Sequence, residues 1–120
     1  MPLVDFLPAT DSRMRATIEV VARELAPDGL VRRWAGEENG FLLCTYWLVE
    51  CLARAGEPQQ AAALFERTTS CANDLGLLAE EADPATGELW GNFPQAFSHV
   101  GLINAAWSIS QAQKGQGQSP

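Results

Sequence analysis

Basic charge is scarce in this sequence. Its 120 residues carry 8 Lys and Arg against 15 Asp and Glu, a net charge of −7 with the single histidine neutral. Nucleic acids and anionic membranes both call for a basic face, so neither is expected as a partner. A neutral ligand such as a sugar stays open. Long apolar runs are missing too, and nothing approaches the roughly 20 residues that cross a bilayer. The opening "MPLVDFLPATD" has no basic region and is broken by two prolines, unlike a secretory leader. Cysteines are few and odd in number: Cys44, Cys51 and Cys71. The first two sit inside a hydrophobic helical pattern, which reads as reduced core thiols of a cytoplasmic protein rather than a disulfide framework. One histidine and three scattered cysteines do not offer zinc spacing, so no metal is expected, and no cofactor motif is present. Strand-like alternation of useful length is also lacking. What remains is a globular composition, 47% hydrophobic and 19% charged, sized for one ordinary domain or a piece of a larger one.

The apolar spacing predicts an all-α chain. Asp11 or Thr10 can cap a first helix, in which Met14, Ile18, Val21 and Leu25 form one stripe. "APDG" ends it, and the loop "LVRRWAGEENG" follows. A second helix is expected over Gly40 to Ala55, apolar on almost every side as far as Leu52, as in a helix that is largely enclosed. Gly56 stops it. Pro58 opens a third, which ends near Cys71, so helices two and three make a hairpin with a very short connection. Asn92 is expected to cap a fourth helix from Phe93 to about Gln111, anchored by Phe97, Val100, Ile103 and Trp107. Trp47 and Trp107 read as core residues, His99 as a hydrogen-bonded core residue, and Glu66 with Arg67 as a solvated face. Residues 113–120 read as a disordered tail. The second helix wants more cover than three partly amphipathic partners supply, and loops of this length are more often functional. Both features point to a part of a larger helical assembly.

Between the third and fourth helices lies "LGLLAEEADPATGELWGNFPQAFSH" (residues 75–99), where Glu80 and Glu81 follow an apolar run and precede turn signals at Asp83-Pro84 and Thr86-Gly87. Read alone, such a pair is a solvated turn or a site of acid/base chemistry. The motifs "FLLCTYWLVE", "NDLGLLAEE" and "GNFPQAFSHVGLINAA", together with "VDFLPATDSRMRATIEVVARELAPDGLVRRW" before them, resemble the C-terminal part of glycoside hydrolase family 15, the glucoamylase-type enzymes. The bacterial glucoamylase-like, glucodextranase-like and trehalase-like members are nearest in character. The resemblance covers nearly the whole chain apart from the tail.

The resemblance implies that residues 1–112 are a C-terminal segment of an (α/α)6 toroid whose pocket lies at one end of the barrel. It implies hydrolysis of α-glucosidic bonds by inversion, which uses an acid for the leaving oxygen and a base for the attacking water. The family's base lies in a Ser/Ala-Glu-Glu/Gln motif, matched here by Ala79-Glu80-Glu81, so Glu80 is the candidate catalytic base. Candidate substrate-binding residues are Arg33 and Trp34, which match an Arg-aromatic pair, Phe41 at an aromatic pocket-wall position, Glu81 and Trp90. The fork of a guanidinium suits vicinal sugar hydroxyls. Trp34 stands where tyrosine is commoner, and the loop Ala35 to Asn39 is short, which leaves the geometry of Glu37 and Glu38 open. Nothing in the chain matches the tryptophan- and glutamate-containing segment that holds the family's acid. The expected partners are an α-glucoside or oligosaccharide if the pocket is completed, a separate N-terminal chain, or a second copy. The non-enzymatic alternative is a helical interaction or self-associating module that uses the apolar surface other helices would cover.

Overall fold

The computed structural model describes residues 2–117. It is mostly helical, consistent with part of a family-type helical toroid. The helices are α1 (Ser12–Leu25), α2 (Leu42–Arg54), α3 (Pro58–Thr69) and α4 (Ala96–Gly117). Three two-residue strands lie among them: β1 (Gly40–Phe41), β2 (Glu81–Ala82) and β3 (Leu89–Trp90).

Local chemistry explains most of the boundaries. Asp11 caps α1, its Oδ1 accepting from the Arg13 N–H at 2.9 Å. Met14 and Ile18 of the expected stripe are buried. Gly56, at φ +84°, turns the chain between α2 and α3, and Pro58 begins α3 where no intrahelical donor is needed. The hairpin of α2 and α3 is as anticipated.

Several expectations are corrected. Helix α2 begins at Leu42, because Gly40 and Phe41 pair with Ala82 and Glu81 in the sheet. Helix α4 begins at Ala96 rather than Phe93, since a residue before proline is driven out of the helical region. Asn92 is therefore not its cap. At the other end, α4 continues through residues 113–117, which read as tail in the sequence; elongation of a helix already nucleated carries through Gln113, Lys114 and Gln116 despite the two glycines. Residues 118–120 lie outside the described residues. Trp47 and Trp107 are not core residues: they are 44% and 64% exposed. Helical spacing identifies an apolar face without saying whether anything packs on it. Arg67 does more than face solvent, for it donates to the backbone oxygens of Asp28 (3.2 Å) and Pro84 (2.8 Å), tying two loops to α3.

The core lies where α2, α3 and α4 meet, with Leu30, Leu42, Tyr46, Val49 and Leu78 enclosed. A second cluster joins α1 to the opposite side of α2 through Met14, Ile18, Val31 and Leu48. Gly101 lets α4 approach α2 closely, since a Cβ there would lie 3.0 Å from Leu43 and 3.1 Å from Tyr46. Tyr46 is the single tyrosine, and its hydroxyl lies 2.9 Å from Thr69 Oγ1.

Burial of Tyr46 disfavours the phenolate and outweighs the opposing hydrogen bond with Thr69, so its pKa is pushed from 10.0 to about 12. A folded-state pKa above the unfolded one means that this contribution to stability is complete below pH 10.0 and is lost as pH rises towards about 12. Phenolate absorbance of the native chain should therefore rise with a midpoint near 12, and Tyr46→Phe should flatten the alkaline loss of stability. A midpoint near 10.0 with native circular dichroism would contradict the burial argument.

Candidate active site

The three short strands make an antiparallel sheet in the order β1-β2-β3. Its register puts Gly40, Ala82 and Leu89 in one cross-strand row and Phe41, Glu81 and Trp90 in the next. Adjacent rows face opposite sides of a sheet. The first row faces the core: Ala82 is fully enclosed, Leu89 packs on the core cluster, and a Cβ on Gly40 would lie 2.3 Å from the Leu30 Cβ. The second row therefore faces away from it. Thr45 fixes β1 to the preceding loop, donating to the Phe41 oxygen and accepting from the Val31 N–H, each at 2.9 Å. The β2–β3 turn forms where Asp83-Pro84 and Thr86-Gly87 signalled it, with the Asp83 N–H donating to the Glu88 oxygen and the Gly87 N–H to the Asp83 oxygen, each at 2.8 Å.

Glu80 stands at the entry to β2, and the start of α4 holds its backbone in place. The Ser98 hydroxyl, fully enclosed, donates to the Ala79 oxygen at 2.8 Å. The Leu78 N–H donates to His99 Nε2 at 3.1 Å, and the Gln95 N–H to the Leu78 oxygen at 2.9 Å. His99 is thus hydrogen-bonded as expected, though half-buried rather than in the core. The Glu80 N–H donates to the Asn92 oxygen at 2.9 Å, while the Asn92 N–H returns to Glu80 Oε2 at 3.1 Å. Glu80 Oε1 has no hydrogen-bond partner among the described residues. Gly91, at φ +77°, lies directly against this side chain, and a Cβ there would come within 2.8 Å of Oε2. Only glycine combines that φ with that closeness.

Arg33 is the centre of the neighbouring cluster. Its Nε donates to Glu37 Oε1 at 2.9 Å, its Nη2 to the same oxygen, and Nη2 also to Glu81 Oε1 at 2.6 Å. Its guanidinium lies 4.6 Å from the ring centroids of both Trp34 and Phe41. Phe97 meets Phe41 edge-on at 5.6 Å. The Glu37 hydrogen bonds, against some desolvation, raise the Arg33 pKa further. Burial alone would lift the Glu37 carboxyl, but hydrogen bonds from the Arg33 side chain and backbone hold it below its ordinary value. For Glu81, burial dominates and raises the pKa, only partly offset by the charge of Arg33, with Glu37 and Glu80 adding to the rise.

The residues singled out in the sequence therefore converge at one end of the helices. Phe41, Glu81 and Trp90 share the cross-strand row, Arg33 and Trp34 stack beside it, and Glu80 adjoins it in the chain. Three neighbours were missed in this role. In the sequence Glu37 belongs to a loop whose geometry is open, Phe97 reads as a helix anchor and Asn92 as a cap. The i, i+4 spacing of Arg33 and Glu37 was the one available signal for the first, and Pro94 after Phe93 argued against the cap. Among the described residues, no group of three His, Cys, Asp or Glu side chains is placed to hold a metal ion, and no helix is long and apolar enough to cross a membrane. The three cysteines are free.

Known proteins bear on this arrangement. The chain is 47% identical over 121 residues to a trehalase of Mycolicibacterium smegmatis, 44% over 121 residues to one of Mycobacterium tuberculosis, and 40% over 119 residues to one of Thermoplasma acidophilum. Each match covers 93% of this chain but only 18%, 18% and 20% of the respective relative, so the chain spans about a fifth of the length of the curated relatives it matches. No solved structure matches it. The family model of glycosyl hydrolases family 15 matches residues 1–107, which is most of the chain, and the chain belongs to that family.

Proposed function

We propose that residues 1–112 form a C-terminal segment of a family 15 (α/α)6 catalytic toroid, contributing the general-base side of a site that hydrolyses α-linked glucosides with inversion. The observation that carries this reading is the state of Glu80. One carboxylate oxygen is oriented by the Asn92 N–H at 3.1 Å, and the other has no partner among the described residues. An oriented carboxylate with a free oxygen is what a base needs to take a proton from water. Arg33 supplies donors to sugar hydroxyls, Glu81 helps hold Arg33, and Trp34, Phe41 and Trp90 supply apolar ring surface. The name of the relatives, trehalase, favours trehalose as the α-glucoside. The general acid is assigned to a part of the protein outside residues 1–120, because nothing in them matches the segment that holds the family's acid; Glu37 and Glu81 are engaged by Arg33. The free thiols accord with a reducing, cytoplasmic location.

The purified chain, incubated with trehalose, maltose and soluble starch, is expected to release no glucose above background. Glucose release that Glu80→Gln abolishes would overturn the assignment of the acid to another part of the protein.

A second reading has its own observation. On α4, Val100, Ile103 and Trp107 are 54%, 64% and 64% exposed, and Trp107 lines a groove with Trp47 of α2, which is 44% exposed. An apolar face of this kind usually meets a partner. The chain would then act as one part of a two-chain hydrolase or as a self-associating module. Size-exclusion chromatography separates these: a monomer that unfolds in two states counts against self-association.

A further inference from the structure

The Arg33 guanidinium offers five N–H donors in a rigid plane. Nε and Nη2 are engaged by Glu37 and Nη2 by Glu81, whereas Nη1 has no hydrogen-bond partner among the described residues. Its Cζ lies 4.6 Å from the ring centroids of both Trp34 and Phe41. The group is thus held by two carboxylates and packed against two rings, with Nη1 left without a partner among the described residues. Glu37 is anchored in turn to the backbone of the residue whose side chain it holds, because its Oε2 accepts from the Arg33 N–H at 2.7 Å. Glu37 makes three contacts with Arg33 against one from Glu81, and its side chain is 9% exposed against 17%.

We propose that Glu37 is a positioning residue that fixes Arg33 with its Nη1 edge presented to the vicinal hydroxyls of an α-glucoside, Glu81 serving as a lesser support. The proposal rests on the reading of Arg33 as a sugar-contacting group. Glu37 itself touches no sugar and acts through Arg33. The titratable groups facing Arg33 are Glu37 from its own loop, Glu80 and Glu81 from β2 and its entry, and the Cys44 thiol from α2. Of the two carboxylates bonded to Arg33, the one with the raised pKa is Glu81 and the one with the lowered pKa is Glu37. As pH falls, Glu81 is protonated first and the Glu37 clamp persists.

The test follows the Arg33 Nε–H signal by nitrogen-15 NMR on the full chain, assigned by its loss in Arg33→Lys. Exchange of this proton with solvent is expected to be at least about tenfold faster in Glu37→Gln than in the wild type, with the melting temperature little changed, because charge-assisted hydrogen bonds are lost. Glu81→Gln is expected to have a clearly smaller effect. Exchange in Glu37→Gln within about twofold of wild type, or an equal effect of Glu81→Gln, overturns the proposal. Should Glu37→Gln fail to fold, the wild-type pH titration decides, with exchange taken relative to that of free arginine at the same pH: protection that outlasts Glu81 protonation supports the clamp, and loss of protection in step with it overturns the clamp. A parallel titration with trehalose tests the sugar reading on its own, since the Nε–H measurement needs no sugar.

Discussion

Glu80→Gln is expected to lower kcat by about 10²–10⁴-fold, with KM little changed, in a family 15 hydrolase that carries this segment. A suitable host is the Mycolicibacterium smegmatis trehalase with its matching region replaced by residues 1–107, given the 47% identity between the two. Glutamine keeps the size of the side chain and can still accept the Asn92 N–H, so the pairing of Glu80 with Asn92 and its packing under Gly91 survive. What it cannot do is take a proton from water. A loss confined to the transition state appears in kcat rather than in binding. Activity within tenfold of the parent chimera would remove Glu80 from the role of base. A loss of folded protein, read by circular dichroism, would instead show that the carboxylate is needed for structure.

Tyr46→Ala is expected to cost about 3–5 kcal/mol of stability, near the top of the range for single substitutions. Tyr46 has 0% exposure and joins three helices. It stands on α2, meets Phe65 of α3 at 5.9 Å between ring centroids, and packs its Cβ where Gly101 lets α4 come close. Alanine leaves a cavity that neighbours on three separate helices cannot all relax into, and it strands the Thr69 hydroxyl contact. Tyr46→Phe loses only that hydrogen bond and should cost about 1 kcal/mol. Urea denaturation measures both. A cost for Tyr46→Ala below about 1 kcal/mol would mean that α2, α3 and α4 do not share one cooperative core.

Much of this architecture was legible in the residues. The Asp11 cap, the Gly56 stop and Pro58 at the start of α3 act through the backbone of a few neighbours, so the local sequence carries them. The same holds for the turn at Asp83-Pro84 and Gly87. The start of α4 was misplaced because apolar spacing continues through Phe93 while Pro94 forbids the helix there. Trp47 and Trp107 were misplaced for a different reason. Periodicity reports which face is apolar, and burial depends on what else is present.

The candidate site divides in the same way. Glu80 is a candidate because of its flanking motif, and its neighbours in sequence come with it. That Phe41, Glu81 and Trp90 share one face followed only from the register of strands two residues long, too short for any alternation to be read. The clamp of Arg33 between Glu37 and Glu81 joins positions 48 residues apart on one side and four on the other. The sequence alone determined the family, the helical class and the residue types at the site, because those reside in local propensity and in a long matched pattern. Only the tertiary structure decided which carboxylate keeps a free oxygen and which are bound to arginine, because hydrogen-bond partners and burial are set by chain segments that meet in space.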